Sequence, residues 1–178
     1  NDSSAAISFL HEASEMDPLN PEPLKELGRI RYEKKNSEIP AIVRIGYITN
    51  ALDAFQKKES YCLAENVYHE ARNQPAAGQM AVISVTVNRK NDLRFPNTIC
   101  EVVKQGPSRP SWKGTGEMIP VRHRCQFSWY CDGKSDKVYD VETFNSILLL
   151  TDAIVDGSIK ILDITEGATH YHADYVNP

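Results

Sequence analysis

The chain has 178 residues, a formal net charge of −4, 41% hydrophobic residues and 25% charged ones. That length and composition suit a globular protein with enough chain for a proper core. The mild acidity gives no basic field to attract nucleic acid or an anionic membrane, and no apolar run is long enough to span a bilayer. The first residue is Asn1 rather than Met, which suggests a processed form or an excised piece.

Residues 1–59 read as a helical extension, distinct in character from the rest of the chain. Ala6, Phe9, Leu10 and Ala13 make one amphipathic stripe, which the proline-rich run Asp17–Pro23 breaks. Leu24, Leu27 and Ile30 begin a second helix, and Ile45, Ile48, Leu52 and Phe55 mark a third. Residues 60–178 then form the main domain. A helix over 60–74 carries Leu63, Val67, Glu70 and Ala71 on one face, and Pro75 suits the first turn of the next helix. Residues 80–88 read two ways. Ile83, Val85 and Val87 alternate like a strand, whereas Met80, Ile83 and Val87 keep helical spacing. Thr98 and Glu101 form a capping box ahead of a helix from about Ile99 to Lys104. The run 105–124 is rich in Pro, Gly and Ser, and no packed element is expected there. Thr143–Val155 places Phe144, Ile147, Leu148, Thr151, Ile154 and Val155 on one face, with Gly157 as a stop. Ile159 and Ile161 suggest a short strand, and the tail from Gly167 reads as extended or irregular.

The chemistry starts at Glu70. A carboxylate on a half-buried helix face loses solvation, which favours its protonated form, and such a group can donate a proton to a leaving oxygen. The competing reading is an ion pair at the helix edge with Arg72 or another base. Around Glu70 stand Ala64, Tyr68, Ala71 and Arg72, then Gly78, Gln79, Ala81, Val82, Val85, Asn88 and Arg89, then Phe95, Pro96, Val102 and Val103, and finally Gln126, Phe127 and Ser128. In order and spacing this set resembles the cell-wall hydrolase family that includes the spore cortex-lytic enzymes and related phage and bacterial enzymes. The likeness extends more weakly to Gly167–Pro178. It implies an α+β, mainly helical, lysozyme-like or lytic-transglycosylase-like catalytic domain with an extra N-terminal helical segment. It also implies Glu70 as the catalytic acid, and it favours the helical reading of residues 80–88. The implied substrate is the peptidoglycan glycan strand. The implied setting is the cell wall, the periplasm or a phage virion.

The remaining site residues take roles around that acid. Gln79 and Asn88 carry amides that bond sugar hydroxyls or acetamido groups without titrating, and Gln126 and Ser128 offer the same across a groove. Capping or turn bonding competes with that reading. Trp129 and Tyr130 are candidate sugar-stacking aromatics beside Phe127, for which core packing is the stronger reading. His170 and Tyr171 are candidate groove residues. His170, His172 and Asp174 alternate as metal ligands would, but the lytic mechanism implied by the resemblance needs no metal, so neither a metal nor a cofactor is expected. The four cysteines include no Cys-x-x-Cys pair, which argues against structural zinc. Work outside the reducing cytosol favours a Cys125–Cys131 disulfide around the aromatic loop, leaving Cys62 and Cys100 as the other pair. Four reduced cysteines are the alternative.

Glycoside hydrolysis usually takes two carboxylates. Glu65 points elsewhere on the Glu70 helix, Glu101 belongs to a capping box, and Asp132 precedes Gly133 in an expected turn. A lone acid suits lytic transglycosylation, in which the substrate's own acetamido group attacks the sugar. Three other readings stay open at this level: a hydrolytic muramidase with a second acid not recognised in the sequence, a metal-dependent amidase, and a non-catalytic wall-binding module.

Overall fold

No glycine or proline lies between Tyr47 and Gln74, so nothing in the chain interrupts helix over that stretch. The computed structural model describes residues 41–171, and there this stretch belongs to one 31-residue helix, α1 (Ala41–Ala71). The two helices expected around Ile45–Phe55 and over 60–74 are thus a single element that ends ahead of Pro75. The stripes expected before residue 41 lie outside the described residues, as do His172 and Asp174.

The chain divides into two compact units, Asn1–Lys58 and Glu59–Pro178. In the first, Ala54 is buried while Ile48 and Leu52 stay exposed. The second unit is mainly helical with one small sheet, an α+β arrangement. After the end of α1 come α2 (Ala76–Asn91), α3 (Ile99–Val103), strands β1 (Ser108–Pro110) and β2 (Met118–Pro120), a 3-10 turn (Ser128–Cys131), and α4 (Val141–Val155).

Residues 80–88 are helical. Val82, Ile83, Val85 and Thr86 are buried within α2, and packing outweighs the strand preference of their β-branched side chains. The capping box holds α3: Thr98 accepts from the Glu101 N–H and donates from its hydroxyl to Glu101 Oε2 at 2.8 Å. A second acid helps, because the buried Glu59 accepts from the backbone N–H of Ile99 at 2.5 Å and of Cys100 at 3.3 Å. α4 starts two residues earlier than expected. Asp140 caps it, taking the Thr143 N–H at 3.0 Å and the Thr143 hydroxyl at 2.6 Å.

The run 105–124 packs no residue into the core, as expected, but it does form a small, largely exposed two-stranded sheet. β1 and β2 pair antiparallel with Arg109 opposite Ile119, and the Val121 N–H donates to the Pro107 carbonyl just outside the ladder. Strands of three residues that each end in proline lie below what alternation can signal. The strand expected at Ile159–Ile161 does not form. The Ile159 N–H instead returns to the Ala153 carbonyl, and Ile161 packs on the core from irregular backbone.

The core of the second unit gathers Leu63 and Val67 of α1, Ile83 of α2, Val102 and Val103 of α3, Phe127, and Phe144 and Ile147 of α4. Each side chain of this kind contributes about 1.5–3 kcal/mol on burial. A Cys62–Cys100 disulfide ties α1 to α3, with Cα atoms 5.2 Å apart, and Cys125–Cys131 closes the loop before and through the 3-10 turn. The Thr151 hydroxyl of α4 lies 3.1 Å from the Ser60 carbonyl of α1. α1 is therefore the central strut of this unit, and its last turns carry Glu70.

Candidate active site

Glu70 is half-buried near the C-terminal end of α1. Its Oε2 accepts a 2.9 Å hydrogen bond from the Tyr171 hydroxyl, across 101 residues of sequence. Tyr171 leaves 45% of its surface exposed, yet its hydroxyl end turns inward to the carboxylate. Burial of that end and the neighbouring Glu70 charge push the phenol well above its ordinary range, with Arg89 pulling the other way. At neutral pH Tyr171 is therefore a protonated donor.

Arg89 completes the group. It is 4% exposed, and its Nε donates to the Thr169 carbonyl at 2.6 Å. Its guanidinium sits 4.9 Å above the Phe127 ring and 5.6 Å from that of Phe95. Burial draws Arg89 below the usual guanidinium range, while Tyr171 and Glu70 both favour its charged form. Its Nη1 is buried and makes no hydrogen bond. The sequence reading gives Arg89 no role of its own, though a signal was present: it lies seven residues after Val82 and three after Thr86, on the stripe that α2 buries.

Asn88 holds the segment that delivers Tyr171. Its amide nitrogen lies 2.9 Å from Asp163 Oδ2, 3.1 Å from the Ala168 carbonyl and 3.3 Å from Thr165 Oγ1. Asp163 also takes the Thr165 hydroxyl and the Gly167 N–H, and these bonds hold its carboxyl far below the ordinary carboxylate range. Glu166 and Gly167 adopt positive φ of 53° and 83° to make this turn. The adjacent pair Asn88 and Arg89 thus fixes residues 163–169, and Tyr171 comes two residues later.

The other candidates stand in different places. His170 is exposed, 3.1 Å from the Thr169 hydroxyl through Nδ1 and 6.1 Å from the Phe95 ring. Gln79 is half-buried in the first turn of α2, its side chain donating to the Gln74 carbonyl at 3.3 Å. Gln126 and Ser128 are exposed, and the Gln126 N–H bonds the Gln105 carbonyl. Among the described residues no hydrogen bond joins Glu70 to Gln79, Asn88, Gln126 or Ser128. No group of three or more potential metal-ligating side chains occurs among the described residues.

Trp129 is buried against α1. Its indole N–H donates to Asn66 Oδ1 at 2.9 Å, Asn66 donates to the Thr86 hydroxyl at 3.1 Å, and Thr86 donates to the Val82 carbonyl at 2.7 Å. This relay joins the Cys125–Cys131 loop, α1 and α2 through an asparagine that is fully buried. On the other side Trp129 stacks on His69 with ring centroids 4.5 Å apart, and Tyr130 meets it edge-on at 6.0 Å. Asp132 and Asp136 gather on this His69 side, where both act electrostatically on the imidazole and the Asp136 carbonyl lies 3.3 Å from Nε2. Glu65 also belongs to this flank; burial raises its pKa, Lys104 opposes, and Asp136 adds to the rise.

A model of the cell wall hydrolase family matches residues 73–178, more than half of the chain. The chain belongs to the cell wall hydrolase family. Glu70 lies three residues before the matched span, whereas Arg89 and Tyr171 lie inside it. Among the relatives of this cell wall hydrolase is a spore cortex-lytic enzyme of Bacillus cereus, 36% identical over 55 residues, covering 31% of this chain and 21% of the relative. The spore cortex-lytic enzyme of Bacillus subtilis is 39% identical over 54 residues, covering 30% and 18%. That of Oceanobacillus iheyensis is 37% identical over 54 residues, covering 30% and 20%. The match therefore spans about a fifth of the length of these relatives. No solved structure matches the chain.

Proposed function

We propose that this cell wall hydrolase cleaves the glycan strands of peptidoglycan between N-acetylmuramic acid and N-acetylglucosamine as a lytic transglycosylase, on a lysozyme-like catalytic fold. The observation that carries the reading is the setting of Glu70: a half-buried carboxyl near the end of α1, oriented through one oxygen by the Tyr171 hydroxyl. The acids Asp132 and Asp136 stand instead around His69. Glu70 gives its proton to the glycosidic oxygen while the acetamido oxygen of the muramic acid attacks the anomeric carbon. The Glu70 carboxylate then takes the proton of that sugar's 6-hydroxyl, whose oxygen displaces the acetamido group and closes a 1,6-anhydro ring. Tyr171 orients the carboxylate. Gln79, Gln126 and Ser128 lie at the surface with polar side chains able to bond sugar hydroxyls. The setting is extracytoplasmic, at the wall.

Replacing Glu70 by Gln keeps the shape and removes the carboxyl group that would donate and take the proton. Lysis of purified peptidoglycan should fall at least a hundredfold, as expected for loss of a general acid, with an unchanged circular dichroism spectrum. Glu65→Gln is the control, because Glu65 is the other half-buried acid on the last turns of α1. If it abolishes activity as completely as Glu70→Gln, the assignment fails. Mass spectrometry of the digest separates the outcomes: anhydro-muramic ends support transglycosylation, and reducing muramic ends make the enzyme a muramidase.

A further inference from the structure

The overall acidity of the chain hides a local reversal. Residues 104–124 hold five Lys and Arg residues against one acid, Glu117, in a chain of net charge −4. The β1–β2 sheet lies in the middle of that stretch, and the turn that joins its strands, 111–117, carries Trp112 with 83% of its surface in solvent. Arg109 stands three residues before this indole and Lys113 directly after it. Both are exposed, and neither forms an ion pair among the described residues.

A lone exposed apolar side chain needs no explanation. What sets Trp112 apart is the way its turn is held. The Ser111 N–H donates to the Glu117 carbonyl at 2.7 Å and closes the turn, and the Gly114 N–H returns to the Ser111 carbonyl at 3.2 Å. The Ser111 hydroxyl accepts the Lys113 N–H at 3.3 Å, and the Thr115 hydroxyl accepts the Glu117 N–H at 3.4 Å. Gly114 and Gly116 take φ of 68° and 75°, and a side chain at either would meet nothing within 4 Å, so they serve the path of the backbone rather than a tight approach. The turn thus closes on a buried Ser111 and presents an indole that adds nothing to the core. A platform fixed in advance spends little ordering entropy when a ligand lands on it.

We propose that this turn is a wall-holding site that docks on a peptidoglycan strand without cutting it. The indole face of Trp112 packs on the apolar face of a sugar ring, and Arg109 and Lys113 meet free carboxylates of the peptide stems. The proposal takes peptidoglycan as the substrate, as the proposed function does, and asks nothing of Glu70. Charge and patch size select this occupant over a bilayer. Even a whole myristoyl chain binds a membrane only marginally, and here two side chains, Trp112 and Met118, supply the exposed apolar surface. Glu117 falls between them in sequence, where an anionic bilayer would repel it. A glycan strand accommodates that acid, because its hydroxyls and amides donate hydrogen bonds as well as accept them.

The test is binding by the full-chain Glu70→Gln protein, which needs no turnover. The protein is sedimented with purified peptidoglycan sacculi freed of attached polymers. Trp112→Ala should weaken binding at least about fivefold, while Trp112→Phe should keep most of it. Arg109→Ala/Lys113→Ala should also weaken binding and flatten its dependence on salt. Leu162→Ala removes a similarly exposed apolar side chain outside the hairpin and should bind as the parent does. The hairpin lends no side chain to the core, so these variants fold, and circular dichroism checks that they do. Separately, acrylamide quenching reads Trp112 directly, because the other tryptophan, Trp129, is buried. Soluble un-cross-linked peptidoglycan strands should shield Trp112 from the quencher. A parent that does not sediment with sacculi, equal binding by the parent and Trp112→Ala, equal losses in Trp112→Ala and Leu162→Ala, or an absence of shielding overturns the proposal. So does Trp112-dependent retention on vesicles of phosphatidylglycerol and phosphatidylcholine with sacculus binding unchanged. Neither measurement involves catalysis, so failure of the Glu70 mechanism and failure of the docking site are read separately.

Discussion

Asn66 is the most exacting place to test how this site is held together. It is fully buried, its carbonyl oxygen takes the Trp129 indole N–H at 2.9 Å, and its amide nitrogen donates to the Thr86 hydroxyl at 3.1 Å. Asn66→Ala strands the indole N–H of a tryptophan that is only 9% exposed. An orphaned buried donor costs about 1–3 kcal/mol. Thr86 loses an incoming bond but keeps its own to Val82, so its share is nearer the ~0.5–1.5 kcal/mol of an ordinary hydrogen bond. Together the loss is about 1.5–4.5 kcal/mol, a large part of a typical ~5–15 kcal/mol stability. Urea unfolding with the disulfides intact measures it. Trp129→Phe in the same background removes the stranded group, so the double-mutant cycle should show a coupling of about 1 kcal/mol or more. A single-mutant loss below about 1 kcal/mol, or simple additivity, would refute the relay as a support of this loop.

Three further outcomes are expected from other contacts. Tyr171→Phe removes the group that orients the Glu70 carboxyl and should lower the lytic rate roughly tenfold or more, the size of loss that a small misplacement of a reacting group brings; full activity would refute a positioning role. Asp163 has a folded pKa below its unfolded value of about 3.9. Its stabilising contribution is therefore complete above that value and is lost as pH falls towards the lower folded one, and acid unfolding monitored by fluorescence should show a shallower decline below about pH 4 in Asp163→Asn. Replacing Cys62 and Cys100 by alanine opens a 38-residue loop, for which chain entropy predicts a loss of about 4 kcal/mol in thermal or urea unfolding.

How much of this was legible in the sequence depended on the reach of the interaction. α4 showed itself through Phe144, Ile147 and Thr151, because one face of a helix repeats locally. The capping box at Thr98 and Glu101 is likewise a four-residue statement, and it is where the sequence placed it. The β1–β2 hairpin leaves no mark in the sequence because its pairing is carried by backbone groups of residues that include two prolines and show no alternation. Ile159 and Ile161 alternate, but alternation makes a strand only where a neighbour offers a ladder, and here the backbone turned back to α4 instead. At the site, Glu70 stood out by its place on the α1 face. Spacing within one helix could not pair it with Tyr171 or show that Asn88 and Arg89 hold the segment between them. Asn66 gave no signal, because an asparagine becomes a core residue only when partners from two other elements converge on it.

The 101-residue gap between Glu70 and Tyr171 has a consequence for how activity is acquired. A chain grows from its N-terminus, so α1 is complete long before the phenol that bonds Glu70 has been made. Asn88 and Arg89 wait on α2 for residues 163–169, and only their docking brings Tyr171 to the carboxylate. On the proposed mechanism the growing chain should therefore stay inactive while most of its core is already assembled, and a cut between residues 163 and 171 should return it to that state.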